Sequence, residues 1–378
     1  MIIQKFEVWS IKIPYRKQYI SSRGRLIDGQ GVILRLTSDT GIQGFGEASL
    51  LFPDRSGETV ETIVEILLRH ISPIVLGEDV FQFESILQRL GLIAGDAFSF
   101  PYSRAAVDIA LHDLRARAVN LSLAQSLGGI SRKHMQVGRS LSILSRDEMV
   151  EQARSLYKQG YKMLTLKGSA DWQVDIERFL AVRDALGPDY PLEIDPNQAY
   201  SVKGAIALVR RLESAGLQNL EQPCAWWDLE GLKRITDASS VTVSADEAVM
   251  CPSDVMRVAR LEAADMVTLK LARIGGIWQA QKMLHVAEAA GMACNLGSKH
   301  TFGVGTAALL HFAASHPYIS EPLGYGSPLE YFSDDIIKEK IPFSDGMVSL
   351  PEGIGLGVTL DDDKLAKYSQ GCRHERVL

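Results

Sequence analysis

The sequence predicts an α/β barrel joined to a smaller α+β domain, and three observations carry that prediction. The first is a set of five charged residues, Lys167, Asp195, Glu221, Asp246 and Lys270, spaced 28, 26, 25 and 24 residues apart. Each closes a short run that reads as a buried strand: Met163–Lys167, Leu192–Asp195, Asn219–Glu221, Val243–Asp246 and Val267–Lys270. One strand–helix unit of a (β/α)₈ barrel takes about 25–30 residues. The second is strand–helix alternation from about residue 135 onward. The third is the first 125 residues, where strands come first and helices follow, the order of an α+β unit.

Residues 2–14 alternate as a strand, 30–37 read as a second, and Ser38-Asp-Thr-Gly41 turns the chain into a third at 42–48. Two polar, glycine-bearing stretches, Tyr15 to Asp28 and Ser49 to Gly57, read as loops. Apolar stripes of helical period mark Glu58–Arg69 and Ser103–Arg117. The repeats open with a strand at Gln136–Ile143 and a helix whose start, Ser145-Arg-Asp-Glu148, matches a capping box. The five marked strands follow, each trailed by a helical segment. A seventh strand at Ala293–Leu296, a helix from about Val304 and an eighth strand at Tyr318–Glu321 complete the set, with a weak final helix. The glycine-rich stretch Gly346–Val358 reads as a return to the first domain. The division expected is therefore 1–125, 126–345 and 346–378.

With 378 residues, 46% hydrophobic and 23% charged, the chain is long enough to bury a large core. A net charge of −6 without a basic tract argues against nucleic acid. No apolar run approaches the roughly 20 residues of a membrane span. The four cysteines are scattered, which fits reduced thiols in a cytoplasm.

In such barrels the carboxyl ends of the strands carry the chemistry. Three acids there, with no His or Cys among them, suit a hard divalent ion and leave octahedral Mg²⁺ open positions for substrate oxygens. A carboxylate substrate bound there gains help with the second negative charge that forms when its α-proton leaves. Lys167 and Lys270, on the second and sixth of eight strands, face each other and can serve as two bases.

These residues resemble the enolase superfamily, in particular its muconate-lactonizing-enzyme subgroup. The resemblance spans nearly the whole chain through Gly44-Phe-Gly-Glu-Ala48, Ile194-Asp-Pro-Asn-Gln198, Leu220-Glu-Gln-Pro223, Ala245-Asp-Glu-Ala248, Lys270-Leu-Ala-Arg-Ile-Gly-Gly276 and Gly355-Leu-Gly-Val358. It implies a modified TIM barrel, (β/α)₇β, under a capping domain built from the N-terminal segment and the C-terminal tail. It implies Mg²⁺ on Asp195, Glu221 and Asp246, acid/base roles for Lys167 and Lys270, and supporting roles for Thr165, Asn197 and Glu247. The loops at 15–28 and 49–57 are expected to close over the substrate, with Tyr19 and Phe52 as contacts. Ser298, Lys299, His300, Thr301 and Glu321 complete the substrate-binding candidates, and a homo-oligomer, dimer or octamer, is implied.

Three positions depart from the family pattern. Thr165 stands where a first lysine is usual. Thr301 stands where muconate cycloisomerases carry a glutamate. Glu321-Pro-Leu323 keeps only the first acid of a pair that holds a substrate ammonium in dipeptide epimerases. Trp226 and Trp227 are read as packing between barrel and cap. The leading reading is a racemase or epimerase acting on a small carboxylate, beside a muconate-type cycloisomerase, a syn-dehydratase and, from other classes, a Schiff-base aldolase or a binding protein.

Overall fold

The computed structural model describes residues 1–52, 56–93, 99–369 and 373–378; Cys372 and the middle of the 49–57 loop lie outside them. Alternation in Ile3–Ser21 (β1) continues well past residue 14. β1 pairs antiparallel with Gly24–Ser38 (β2) up to Ser21–Gly24, with a register shift between Pro14 and Tyr19. The stretch 15–28 is thus a hairpin, not a loop. Its polar residues, Arg16, Lys17 and Gln18, lie exposed at the shift, while Tyr15, Tyr19 and Ser21 are buried. Gln43–Leu50 (β3) completes the N-terminal hairpins, and Arg373–Val377, the last strand, adds to the other edge of β1.

The helix Pro101–Ala118 packs across β3. Gly46 makes this possible: a Cβ there would meet the carbonyl oxygen of Ala106 at 1.8 Å. The expected helix from Glu58 starts at Val60, capped by Thr59, and runs through a π-helical turn at Leu67–Ile71. Phe6, Val8, Leu34 and Leu36 of the sheet meet Ile63, Leu67, Val107 and Leu111 of the helices in one core.

The second core lies among parallel strands. In order they are His134–Leu141 (β4), Met163–Lys167 (β5), Leu192–Asp195 (β6), Leu217–Glu221 (β7), Thr242–Ala245 (β8), Met266–Leu269 (β9) and Ala293–Leu296 (β10), each paired with the next. Ser145 and Glu148 form the expected capping box of Arg146–Lys158. Asp171, Ser201 and Asp228 cap the next three helices.

The eighth strand lies later than expected. Leu323–Gly324 (β11) pairs in parallel with β4, and single parallel bridges join Cys294 to Ile319 and Gly297 to Gly324. Pro322 has no N–H to give, so the ladder resumes only at Leu323. The weak final helix is one turn, Pro328–Tyr331. The tail divides between the two sheets. Met347–Ser349 pairs antiparallel with β4 of the parallel sheet, while 373–377 pairs with β1, against which the helix Asp362–Tyr368 also packs.

Candidate active site

The strand ends deliver all five charged residues to one mouth. Lys167, Asp195 and Glu221 are the last residues of β5, β6 and β7, while Asp246 and Lys270 directly follow β8 and β9. Lys270 Nζ lies 2.6 Å from Asp246 Oδ2 and 3.3 Å from Glu221 Oε1. Lys167 Nζ donates to Asp195 Oδ2. Asn197 braces Asp195 twice, by its backbone N–H to Oδ1 at 2.8 Å and by Nδ2 to Oδ2 at 3.0 Å, and reaches Glu247 Oε1 at 3.2 Å. Lys167 and Lys270 line a single cavity.

Asp195 and Asp246 are fully buried. Burial pushes the Glu221 carboxyl up to about 8; Lys270 opposes this, and the charges of Asp195 and Asp246 reinforce it. Burial alone would pull Lys167 down, but Asp195, Tyr19 and Glu221 outweigh it and hold its ammonium well above the usual range. Lys270 is held up in the same way by Asp246 and Glu221. The acids thus favour the ammonium form of both lysines. Among the described residues no three His, Cys, Asp or Glu side chains close up into a ready-made metal cluster; the two ammoniums stand against the acids instead. The buried carboxylates of Asp195 and Asp246, with that of Glu221 beside them, are nonetheless a donor set suited to a hard cation.

Tyr19, Phe52, Ser298, Lys299 and His300 all border the same cavity. Tyr19 meets His300 edge-on at 4.5 Å, and His300 Nδ1 lies 2.8 Å from the Tyr15 hydroxyl. Ser22, at the hairpin tip, donates to Pro196 O at 2.7 Å, so the N-terminal hairpin touches the loop after β6. Thr301 instead pairs with Thr306 at 2.8 Å and borders a smaller adjoining cavity.

Glu321 is a correction. Its carboxylate takes Arg132 Nη1 at 3.0 Å and the Gln136 N–H at 3.2 Å, at the amino-terminal end of β4, and it is not among the residues bordering the cavity. Because the eighth strand ends at Gly324, Glu321 precedes it; Tyr325 and Tyr331 border the cavity in its place. Trp227 is another, being 69% exposed instead of packed between domains.

Sequence reasoning also missed a polar layer below the acids. Glu193, Asn219 and Thr268 each lie two residues before a marked end and so face the same interior. Thr165 Oγ1 donates to Glu193 Oε2 at 2.9 Å, and burial pushes the Glu193 carboxyl up to about 7. A hydroxyl–carboxyl pair thus occupies the place of a second ammonium. The period-two alternation was the signal for Glu193.

Two family descriptions match this chain: "Mandelate racemase / muconate lactonizing enzyme, N-terminal domain" over residues 9–128 and "Enolase C-terminal domain-like" over residues 148–364. The chain belongs to the mandelate racemase/muconate lactonizing enzyme family of the enolase superfamily, and is an enzyme of isomerase type. Among its relatives, muconate cycloisomerase 1 of Rhodococcus opacus is 34% identical over 342 residues, covering 90% of this chain and 91% of the relative. The crystal structure of N-succinyl Arg/Lys racemase from Bacillus cereus superposes with a TM-score of 0.93 at 28% identity over all of both chains. A dipeptide epimerase from Cytophaga hutchinsonii, complexed with Mg and D-Ala-L-Val, gives a TM-score of 0.93 at 27% identity, covering 99% of this chain and 100% of that one.

Proposed function

We propose that the chain is a Mg²⁺-dependent racemase or epimerase that removes and returns the α-proton of a small carboxylate substrate. The observation that carries this reading is the placement of Lys167 and Lys270. They end β5 and follow β9, with three strands between them on one side and, by way of β11, three on the other, and both border one cavity. We read the parallel strands as a closed (β/α)₇β barrel, supported by the β11–β4 pairing and the two bridges to the β10 edge. The first 125 residues and the tail beyond 345 are read as its cap, with the tail shared between both sheets.

Asp195, Glu221 and Asp246 would hold the cation, which when bound supplies positive charge beside the substrate carboxylate. The chain's own groups do the rest. One lysine, neutral, takes the proton from one face of the α-carbon, leaving an enolate. The other lysine, as an ammonium, returns a proton to the opposite face, which inverts the centre. Asn197 holds both oxygens of Asp195, sharing Oδ2 with Lys167. Thr165 brings no charge, so Lys167 relies on burial and on the cation to become neutral.

The 34% identity to a muconate cycloisomerase supports a second reading, in which the enolate is formed in the reverse sense by ring closure. Thr301, turned into its own pair, offers that reaction no carboxylate. A cytoplasmic site is supported by the buried free thiols of Cys224, Cys251 and Cys294. Among the described residues no helix is long and apolar enough to cross a membrane. A homo-oligomer is proposed from family likeness alone.

The test is incubation with Mg²⁺ in D₂O of N-acyl amino acids, dipeptides, proline derivatives and muconates, read by NMR. Deuterium should appear at one α-carbon, cease with EDTA, and persist for only one stereoisomer in Lys167→Ala or Lys270→Ala. A borohydride-trapped adduct formed in the presence of EDTA would instead identify a Schiff-base enzyme.

A further inference from the structure

The segment Lys270-Leu-Ala-Arg-Ile-Gly-Gly276 carries more than its lysine. Leu271–Ile274 is a single helical turn, ended by Gly275 and Gly276 at φ 94° and 99°. That turn aims Arg273 back at Asp246. Arg273 is 1% exposed, and its Nη2 lies 2.6 Å from Asp246 Oδ1 and 2.6 Å from Asp246 O. The Asp246 N–H in turn donates to Gln222 Oε1 at 2.9 Å. Main chain and carboxylate are therefore clamped together. The other oxygen, Oδ2, faces Lys270 and the cavity.

Releasing Oδ1 would leave a guanidinium buried without its carboxylate. Among the described residues, Nε and Nη1 of Arg273 already have no partner, so the clamp is expected to hold when Oδ2 is engaged. Ca²⁺ takes six to eight oxygens and often a bidentate carboxylate, whereas Mg²⁺ accepts one oxygen from each and keeps strict octahedral geometry.

We propose that Arg273 is a positioning residue for the divalent cation: by occupying Asp246 Oδ1 it leaves that ligand a single oxygen and so favours Mg²⁺ over Ca²⁺. The proposal rests on the reading of Asp195, Glu221 and Asp246 as the cation's ligands.

Calorimetric titration of the intact enzyme with Mg²⁺ and with Ca²⁺ tests it, without substrate. In Arg273→Gln and Arg273→Lys the Mg²⁺ affinity should fall at least tenfold, and the Mg²⁺-to-Ca²⁺ preference should fall by a similar factor. Folded variants with both values within twofold of wild type would overturn it. A wild-type crystal loaded with Mg²⁺ or Ca²⁺ needs no variant: Oδ1 should remain on Arg273, and a bidentate Asp246 would refute the clamp. Wild-type enzyme that binds Mg²⁺ selectively but exchanges no α-proton overturns the functional reading and leaves this one standing. Exchange with unchanged metal preference in the variants does the reverse.

Discussion

Asn197 shows how much of the site depends on single hydrogen bonds. Its side chain and main chain both hold Asp195, against the pull of the Lys167 ammonium. For a carboxylate that holds a metal, the role proposed for Asp195, removing such a brace typically costs 10–100-fold in metal affinity or activity. Asn197→Ala should therefore lose about that factor in Mg²⁺-dependent exchange while Tm changes little, a split that steady-state assays and thermal melts would reveal together. Thr165 gives a second prediction. Thr165→Val takes one of two side-chain donors from the buried Glu193 carboxyl and leaves it only Asn219, at a cost of about 1 kcal/mol, measurable by urea unfolding. The marked acids and lysines were legible because each ends an apolar run at a regular interval. Arg273 and Glu193 were not. The first meets Asp246 across 27 residues, and a contact of that span leaves no periodic trace; the second was hidden inside a strand read only for its last residue. Glu321 was misplaced because a proline two residues before the strand's end delays the ladder, which an alignment of acids does not register.

Among the elements, the helix Gly303–Ser315 is held by groups from far along the chain. Glu47 of β3 accepts the N–H groups of Phe302 at 2.7 Å and Gly305 at 2.6 Å, satisfying its amino terminus. Farther along, His311 Nδ1 accepts the Ala124 N–H at 3.2 Å, and His311 Nε2, 3.1 Å from Leu356 O, donates to it. The first bond needs an unprotonated Nδ1 and hence the neutral ring, whereas the second survives protonation. Burial lowers this imidazole to about 4, partly offset by the Leu356 carbonyl. A histidine depressed in the folded state stabilises fully above its unfolded value of about 6.5 and loses that contribution as pH falls toward its folded value. The loss should reach about 3 kcal/mol near pH 4, at about 1.4 kcal/mol per unit. Urea unfolding between pH 7.5 and 4.5 should show this slope, and His311→Gln should flatten it. Likewise Gly46→Ala, which drives a methyl into a helix carbonyl, should cost about 3 kcal/mol or more by overpacking, seen as a lowered urea midpoint. The hairpin at 15–28 was read as a loop because three arginines, a lysine, two serines and Gly24 gather there; its buried residues Tyr15, Tyr19 and Ser21 carry the strand signal more faintly.

At the scale of the whole molecule, the two cores are tied by buried polar groups and not by a flexible linker. Asp113 of the helix Pro101–Ala118 takes the Phe45 N–H of β3 at 2.9 Å and the Leu356 N–H of the tail at 2.7 Å. Asp108 of the same helix accepts the N–H groups of Ile277 and Trp278, which open the helix after Lys270. The N-terminal sheet with its helices and the parallel sheet should therefore unfold in one transition, with far-UV circular dichroism and tryptophan fluorescence coincident in urea. The overall plan was legible at this scale because strand–helix repeats begin where the helices of the first domain end. The split course of the tail was not, since three residues, Met347–Ser349, are too short a strand to stand out.

Asp108 also bears on how such proteins can be recombined. Gly276 lies so close to it that a Cβ would approach its Oδ1 to 2.3 Å, so helix and barrel loop are matched as a pair. A chimera that borrows a relative's first domain inherits that fit only if both partners come from one parent. Crossovers on either side of the helix therefore differ in kind: one just before residue 99 leaves the acid with its native barrel, whereas one near residue 128 sends it to a stranger.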